Sequence, residues 1–179
     1  MNKQNAVSVE PTKAYKHCPK CAGVFEHKGG NWLKCTDCGY SYFVNAAPAV
    51  GVFIIDDKKR VLLAKRKIEP KKGTWQTPGG YMQPGETFEE TIQREAEEEL
   101  GVKIAVGKYV GSMPETYDYG GVALPFICAF FTAAITSGEI KSADDVAEAC
   151  YFSLDEIEEV DMTYPALPAL IKRAVGLQA

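Results

Sequence analysis

"GGYMQPGETFEETIQREAEEELGV" (residues 79–102) places six glutamates between Glu89 and Glu99 around a single cation, Arg94. Thr87 followed three residues on by Glu90 is a capping-box signature. Gly101 suits the position just past a helix end. The spacing therefore predicts a helix over 88–100. On it Phe88, Ile92, Ala96 and Leu100 form the buried stripe. Glu95, Glu98 and Glu99 stand at i, i+3 and i+4, so their carboxylates share one face, which adjoins that stripe. Like charges four apart repel by roughly 0.2–0.5 kcal/mol on an exposed helix. The penalty grows where a core edge lowers the dielectric. A hard divalent cation such as Mg²⁺ or Mn²⁺ turns the penalty into a site, because it takes carboxylate oxygens and often a phosphate. The plainer alternative is a solvated acidic face. It is disfavoured because the acids border the core and the helix follows two tight turns, Pro78-Gly79-Gly80 and Pro84-Gly85.

Outward from the helix, "AVGVFII" (49–55) and "RVLLAKR" (60–66) are apolar runs joined by a polar turn, which predicts a β-hairpin. "WQT" (75–77) reads as a short strand. Further strands are expected near 102–112, 123–135 and 148–153. Ser153 with Glu156 is a second capping box opening a short helix, and 164–176 holds the last helix. Strands alternate irregularly with helices, so the class is mixed, α/β or α+β.

Upstream lies a different texture. Cys18-x2-Cys21 and Cys35-x2-Cys38 are thirteen residues apart. Two such pairs suit a tetrahedral Zn²⁺ in a closed structural site. A redox pair would need only one of them. Zinc would also supply stability that so small a segment cannot draw from its own core. His17 and His27 flank the ribbon and are read as surface residues; Cys128 and Cys150 are read as core. Residues 1–15 read as a flexible tail, 16–44 as the zinc ribbon and 45–179 as the main domain.

The chain has 179 residues, 46% of them apolar, and a net charge of −4. That is enough apolar material for a core, and the charge argues against nucleic acid as the main partner, though a local basic patch remains open. The longest apolar stretch, 123–135, is too short to span a bilayer. With no signal-like start, a cytoplasmic location is expected.

Residues 80–102 resemble the signature box of the Nudix hydrolases, G-x5-E-x7-R-E-U-x-E-E-x-G-U, with U aliphatic. Here the box runs from Gly80 through Glu86 to Arg94-Glu95-Ala96-Glu97-Glu98-Glu99-Leu100-Gly101-Val102. Every fixed position matches. The resemblance implies an α/β/α sandwich with a mixed sheet, and hydrolysis of a nucleoside diphosphate linked to another group. Glu95, Glu98 and Glu99 would be metal ligands, joined by the Gly79 carbonyl, and Glu86 and Arg94 would pair to hold the loop. A downstream carboxylate would take a proton. Asp145 falls where it is expected, with Glu139 and Glu148 as rivals. Relatives are commonly dimers, which makes a homodimer the candidate assembly. An N-terminal ribbon before "NAAPAV" is similar to the NADH pyrophosphatase-like branch. Ala46 departs from its "NPxPAV", and its "SQPWPFPxS" stretch is absent. NADH is thereby disfavoured against ADP-ribose, FAD or another small nucleotide substrate.

Other candidates come from the residues alone. Arg66 could bind phosphate, and Lys65, Lys67, Lys71 and Lys72 read as a solvated basic loop. Tyr81, Tyr117 and Tyr119 could stack on a base, and Trp75 reads as core. The rival to an enzyme is a non-catalytic nucleotide-sensing or nucleic-acid-binding module. The intact glutamate set argues against a silent sensor. Removal of a nucleotide cap from RNA is a third reading, made thinkable by the ribbon.

Overall fold

The computed structural model describes residues 8–177, which form two compact units. One contains 8–47 with 114–126; the other contains 48–113 with 127–177. The capping box and Gly101 delimit α2 (Phe88–Leu100) as the sequence requires: Thr87 accepts from the Glu90 N–H, Glu90 caps in return, and Gly101 is left-handed at φ 69°.

β4 (Ala47–Ile54), β8 (Val122–Ser137) and β7 (Lys103–Tyr119) form one sheet in the order β4-β8-β7, of which 114–126 count with the smaller unit. A second sheet has the order β6-β5-β9, with β6 (Trp75–Gln76), β5 (Val61–Arg66) and β9 (Val146–Phe152). Ile92, Ala96 and Leu100 of α2 enter a core with Val50, Val52 and Ile54 of β4, Leu62 of β5, and Ala129, Phe131 and Ala133 of β8. Each large aliphatic so buried contributes about 1.5–3 kcal/mol. Phe53, pointing the other way, stacks on Phe130 at 5.4 Å, so β4 is buried on both faces. That is why 49–55 reads as a continuous apolar run rather than an alternating one. The short α3 (Leu154–Ile157) carries its full capping box at Ser153 and Glu156. The last helix, α4 (Leu167–Gly176), buries Leu167, Ile171 and Ala174.

Two expectations change. The runs 49–55 and 60–66 do turn on Asp56, which accepts from the Arg60 N–H at 2.8 Å. Among the described residues they are bridged at Ile55 and Val61, then join different sheets. Nothing in the turn could signal that divergence, since each run finds its partners far along the chain. The strands foreseen at 102–112 and 123–135 extend to 119 and begin at 122. Pro114 does not stop β7, because β7 is the edge of its sheet and has no neighbour on one side.

In the smaller unit β1 (Phe25–Gly29), β2 (Trp32–Cys35) and β3 (Ser41–Phe43) form an antiparallel sheet. The part of the expected flexible tail that is described, 8–15, is structured. It holds a helical turn, α1 (Pro11–Ala14), and Val9 bridges Val122. Residues 1–7 lie outside the described residues. Each cysteine pair closes a knuckle: Ala22 donates to Cys18 O at 2.8 Å and Gly39 to Cys35 O at 3.2 Å. Both knuckles need a left-handed residue just after the second cysteine, Gly39 at φ 73° and Ala22 at φ 61°.

An L-residue pays roughly 1–2 kcal/mol for that conformation, and glycine returns about half through its extra chain entropy. Ala22→Gly should therefore stabilise the ribbon. Its four thiols should react with a thiol reagent only at higher denaturant than in the parent chain; an unchanged or lower midpoint would count against this account.

Candidate active site and metal centre

Arg94, on the second turn of α2, binds the loop before the helix. Its Nε and Nη2 donate to the two Glu86 carboxylate oxygens at 2.7 and 3.1 Å, and Nη2 also donates to the Tyr81 carbonyl at 3.1 Å. Nη1 donates to Glu95 at 2.7 Å and to Glu98 at 2.9 Å. Thr91, fully buried, lies 2.9 Å from both Glu86 Oε2 and the Thr87 carbonyl. Arg94 beside it, with the Gln83 N–H and Thr91 hydroxyl, holds the Glu86 carboxyl down at about 2. Glu86 in turn pushes the Arg94 guanidinium further up, with Glu95 and Glu98 assisting.

Glu99 is only 3% exposed, and its Oε2 accepts from the Gly79 N–H at 2.9 Å. Burial drives its carboxyl well above the usual range against that one hydrogen bond, and Asp145 and Glu95 push the same way. Burial also raises Glu95, against Arg94, with Glu98 and Asp145 adding repulsion. Glu95, Glu99 and Asp145 thus repel one another with too little positive charge nearby. Oxygen-only donors in that condition fit a hard divalent cation. Glu95 and Glu98 are drawn together by Arg94.

The glycines before the helix have separate reasons. A Cβ on Gly80 would meet the Glu95 carboxylate, with Oε1 at 2.5 Å. Gly79 has φ 137° and its Cβ would strike the Val50 carbonyl. The carbonyls of Pro78 and Gly80 accept from Val52 and Val50, both at 2.9 Å, which fastens this stretch to β4.

Asp145 sits in the loop before β9. Lys67 donates through its N–H to the Asp145 carbonyl at 2.7 Å and through Nζ to the Asp144 carbonyl at 3.2 Å. From the other side, Ala143 and Lys141 donate to the Glu99 and Leu100 carbonyls at 3.0 and 2.9 Å. The loop therefore also satisfies carbonyls at the end of α2. Of the rivals, Glu148 is paired across the sheet with Lys65 at 3.7 Å, and the Glu139 carbonyl lies at the Gly101 end of the helix.

The remaining candidates lie on different elements. Arg66 is buried and donates to the Pro70 carbonyl and to Gln76, both at 3.0 Å. Tyr81 is 38% exposed and contributes its carbonyl to Arg94. Tyr117 lies on the hairpin segment of the smaller unit, 4.7 Å from Tyr119. Sequence reasoning missed Thr91, which carries no pattern of its own, and the tether from Lys67.

In the ribbon the ligand atoms of Cys18, Cys21, Cys35 and Cys38 all lie within 4.8 Å of one another. The Cys18–Cys38 and Cys21–Cys35 sulfurs are 3.8 and 3.5 Å apart. Four sulfurs at about 2.3 Å from one centre would stand about 3.8 Å apart, so the set can hold a tetrahedral metal. Backbone N–H groups of Cys38 and Asp37 bring the Cys35 thiol down to about 7.

The NUDIX domain family matches residues 45–173, and the chain belongs to that family. An ADP-ribose pyrophosphatase from Methanocaldococcus jannaschii is 38% identical over 68% of this chain and 70% of its own length. A NAD-capped RNA hydrolase, NudC, from Haemophilus influenzae is 31% identical over 80% of this chain. The chain spans 53% of that relative's length. Among solved structures, a NUDIX hydrolase from Nitrosomonas europaea superposes with a TM-score of 0.72 over 90% of this chain and 91% of its own, at 23% identity. No helix among the described residues is long and apolar enough to cross a membrane.

Two outcomes test the electrostatics. Glu86 has a lowered folded value, so its contribution is full above the ordinary carboxylate range and is lost as pH falls from about 4.5 towards 2. Glu86→Gln should flatten the acid limb of stability in that window, read by urea denaturation at stepped pH. Glu99 is the opposite case: its raised value costs stability as pH climbs through the ordinary range. In metal-free protein at neutral pH, Glu99→Gln should raise Tm by at least about 2 °C, the shift that ~1 kcal/mol gives in a chain of this size. The gain should vanish in acid.

Proposed function

We propose that this protein hydrolyses the pyrophosphate of a small nucleoside diphosphate derivative, with ADP-ribose as the leading substrate. The observation that carries the reading is the clustering of Glu95, Glu98 and Glu99 on one helix face, with the most buried of them, Glu99, charged only at a cost. The 38% identity to an ADP-ribose pyrophosphatase supports the substrate class.

Glu95, Glu98 and Glu99, with the Gly79 carbonyl, would hold Mg²⁺ or Mn²⁺. The chemistry supplied by such a cation is neutralisation of pyrophosphate charge and acidification of a coordinated water. Arg94 orients Glu95 and Glu98 through one nitrogen, so both present the same edge. Asp145, close enough to raise Glu95 and Glu99, is the proton acceptor as the water oxygen attacks phosphorus. The P–O bond of the bridge breaks, and AMP and ribose 5-phosphate leave. The four thiols hold Zn²⁺ as a structural ion, apart from the reaction. Capped RNA is the second substrate to weigh, on the 31% identity to a NAD-capped RNA hydrolase.

Purified protein with Mg²⁺ or Mn²⁺ would be given ADP-ribose, FAD, NAD, NADH, diadenosine polyphosphates, nucleoside triphosphates and NAD-capped RNA separately, with products resolved by chromatography. AMP and ribose 5-phosphate from ADP-ribose are expected as the fastest release. Glu98→Gln should lower kcat at least about 100-fold, as loss of a metal ligand or charge-stabilising group does, with the fold unchanged by circular dichroism. A mutant of full activity would remove Glu98 from the metal site, and no cleavage of any substrate by metal-loaded protein would replace this reading with a sensor.

A further inference from the structure

We propose that the ribbon unit carries a binding site for an unpaired base of a single-stranded nucleic acid. A cleft of about 270 Å³ opens there, lined by Tyr15, His17, Pro19, Phe25 and Tyr42. None of these residues belongs to the Nudix box or to the thiol set. Pockets for drug-sized ligands begin near ~300 Å³, so this one suits a single ring system rather than a whole dinucleotide.

Its walls are built for stacking. Register sets Phe25 opposite Cys35 and Tyr42 opposite Leu33, which places both rings on one face of the ribbon. The Phe25 and Tyr42 rings lie 6.1 Å apart and 27° from parallel, stacked along the wall of the cleft. Tyr15 meets Tyr42 edge-on at 6.0 Å and 62° and adds a third ring to the lining. His17 Nδ1 is 3.2 Å from the Ala22 carbonyl. A carbonyl only accepts, so Nδ1 carries the proton and Nε2 is left for another hydrogen bond. Aromatic platforms of this kind take any base, because every base has a π-face.

Charge points to the same occupant. The chain as a whole is acidic, with a net charge of −4, but residues 11–25 hold Lys13, Lys16 and Lys20 and no acid. Lys13 pairs with Glu10. Lys16 and Lys20, next to Tyr15, His17 and Pro19 in the chain, are exposed and make no ion pair among the described residues. A cleft walled by aromatic rings, with two such cations next to its lining residues in the chain, matches a base with phosphates on either side. A proline-rich peptide also seeks aromatic grooves, but it brings no charge for these lysines to meet.

The test uses the full chain with zinc and without Mg²⁺ or Mn²⁺. The probe is a fluorescent 5′-hydroxyl RNA decamer containing 2-aminopurine, which has no pyrophosphate and so reports binding independently of catalysis. Anisotropy should rise on titration and 2-aminopurine should be quenched. Lys16→Glu with Lys20→Glu should weaken binding at least about 10-fold and flatten the log–log salt dependence by about 1.4, the share of two phosphates on a single strand. Tyr15→Ala should remove the quench, and both variants should keep their turnover of ADP-ribose and four protected thiols. No rise in anisotropy, binding unchanged by the charge reversal, or displacement of the RNA by polyproline would each overturn the proposal.

Discussion

The fork of hydrogen bonds from Arg94 joins the loop, the helix and the acids of the larger unit. A guanidinium is planar and offers donors in fixed directions, so one side chain can clasp Glu86 with two nitrogens while a third reaches Glu95 and Glu98. A lysine could supply the charge but not this geometry. The clasp does two jobs at once. It closes residues 81–86 against α2, and it keeps two like-charged carboxylates together on one side of the helix.

Glu99 is held by a different balance. It is almost wholly buried, has the Gly79 N–H as its donor, and is surrounded by Asp145 and Glu95. A hydrogen bond to a charged group is worth about 1.5–3 kcal/mol, while burying a carboxylate costs several. The fold therefore keeps an acid where it is poorly charged. Stability given up in this way is the common cost of a functional site. The surroundings are built to match: Gly80 leaves room for the Glu95 carboxylate, Gly79 for the Val50 carbonyl, and the Asp145 loop rests on the end of α2.

The ribbon solves its stability problem by other means. Few of its residues are buried, and its two knuckles rest on backbone hydrogen bonds and four converging thiols. Because the metal would carry that unit, its outer face is free of packing duty. Aromatic side chains at Tyr15, Phe25 and Tyr42 can then line a cleft instead of filling a core.

The sequence by itself determined what depends on near neighbours along the chain. Helix α2, its two caps, the common face of Glu95, Glu98 and Glu99, and the paired cysteines all follow from spacings of three, four or five residues. Helix geometry and tight turns turn such spacings into directions in space. Tertiary structure decided what depends on distant partners. The runs 49–55 and 60–66 separate into different sheets because strand partners are chosen by non-local pairing. Arg66, legible only as a cation at a strand end, donates to the Pro70 carbonyl and to Gln76. Asp145 comes up to the acidic helix because Lys67 and the helix carbonyls hold its loop there. The depth of Glu99, and with it the cost of its charge, is set by the sheet beneath the helix. No local pattern records how closely that sheet packs.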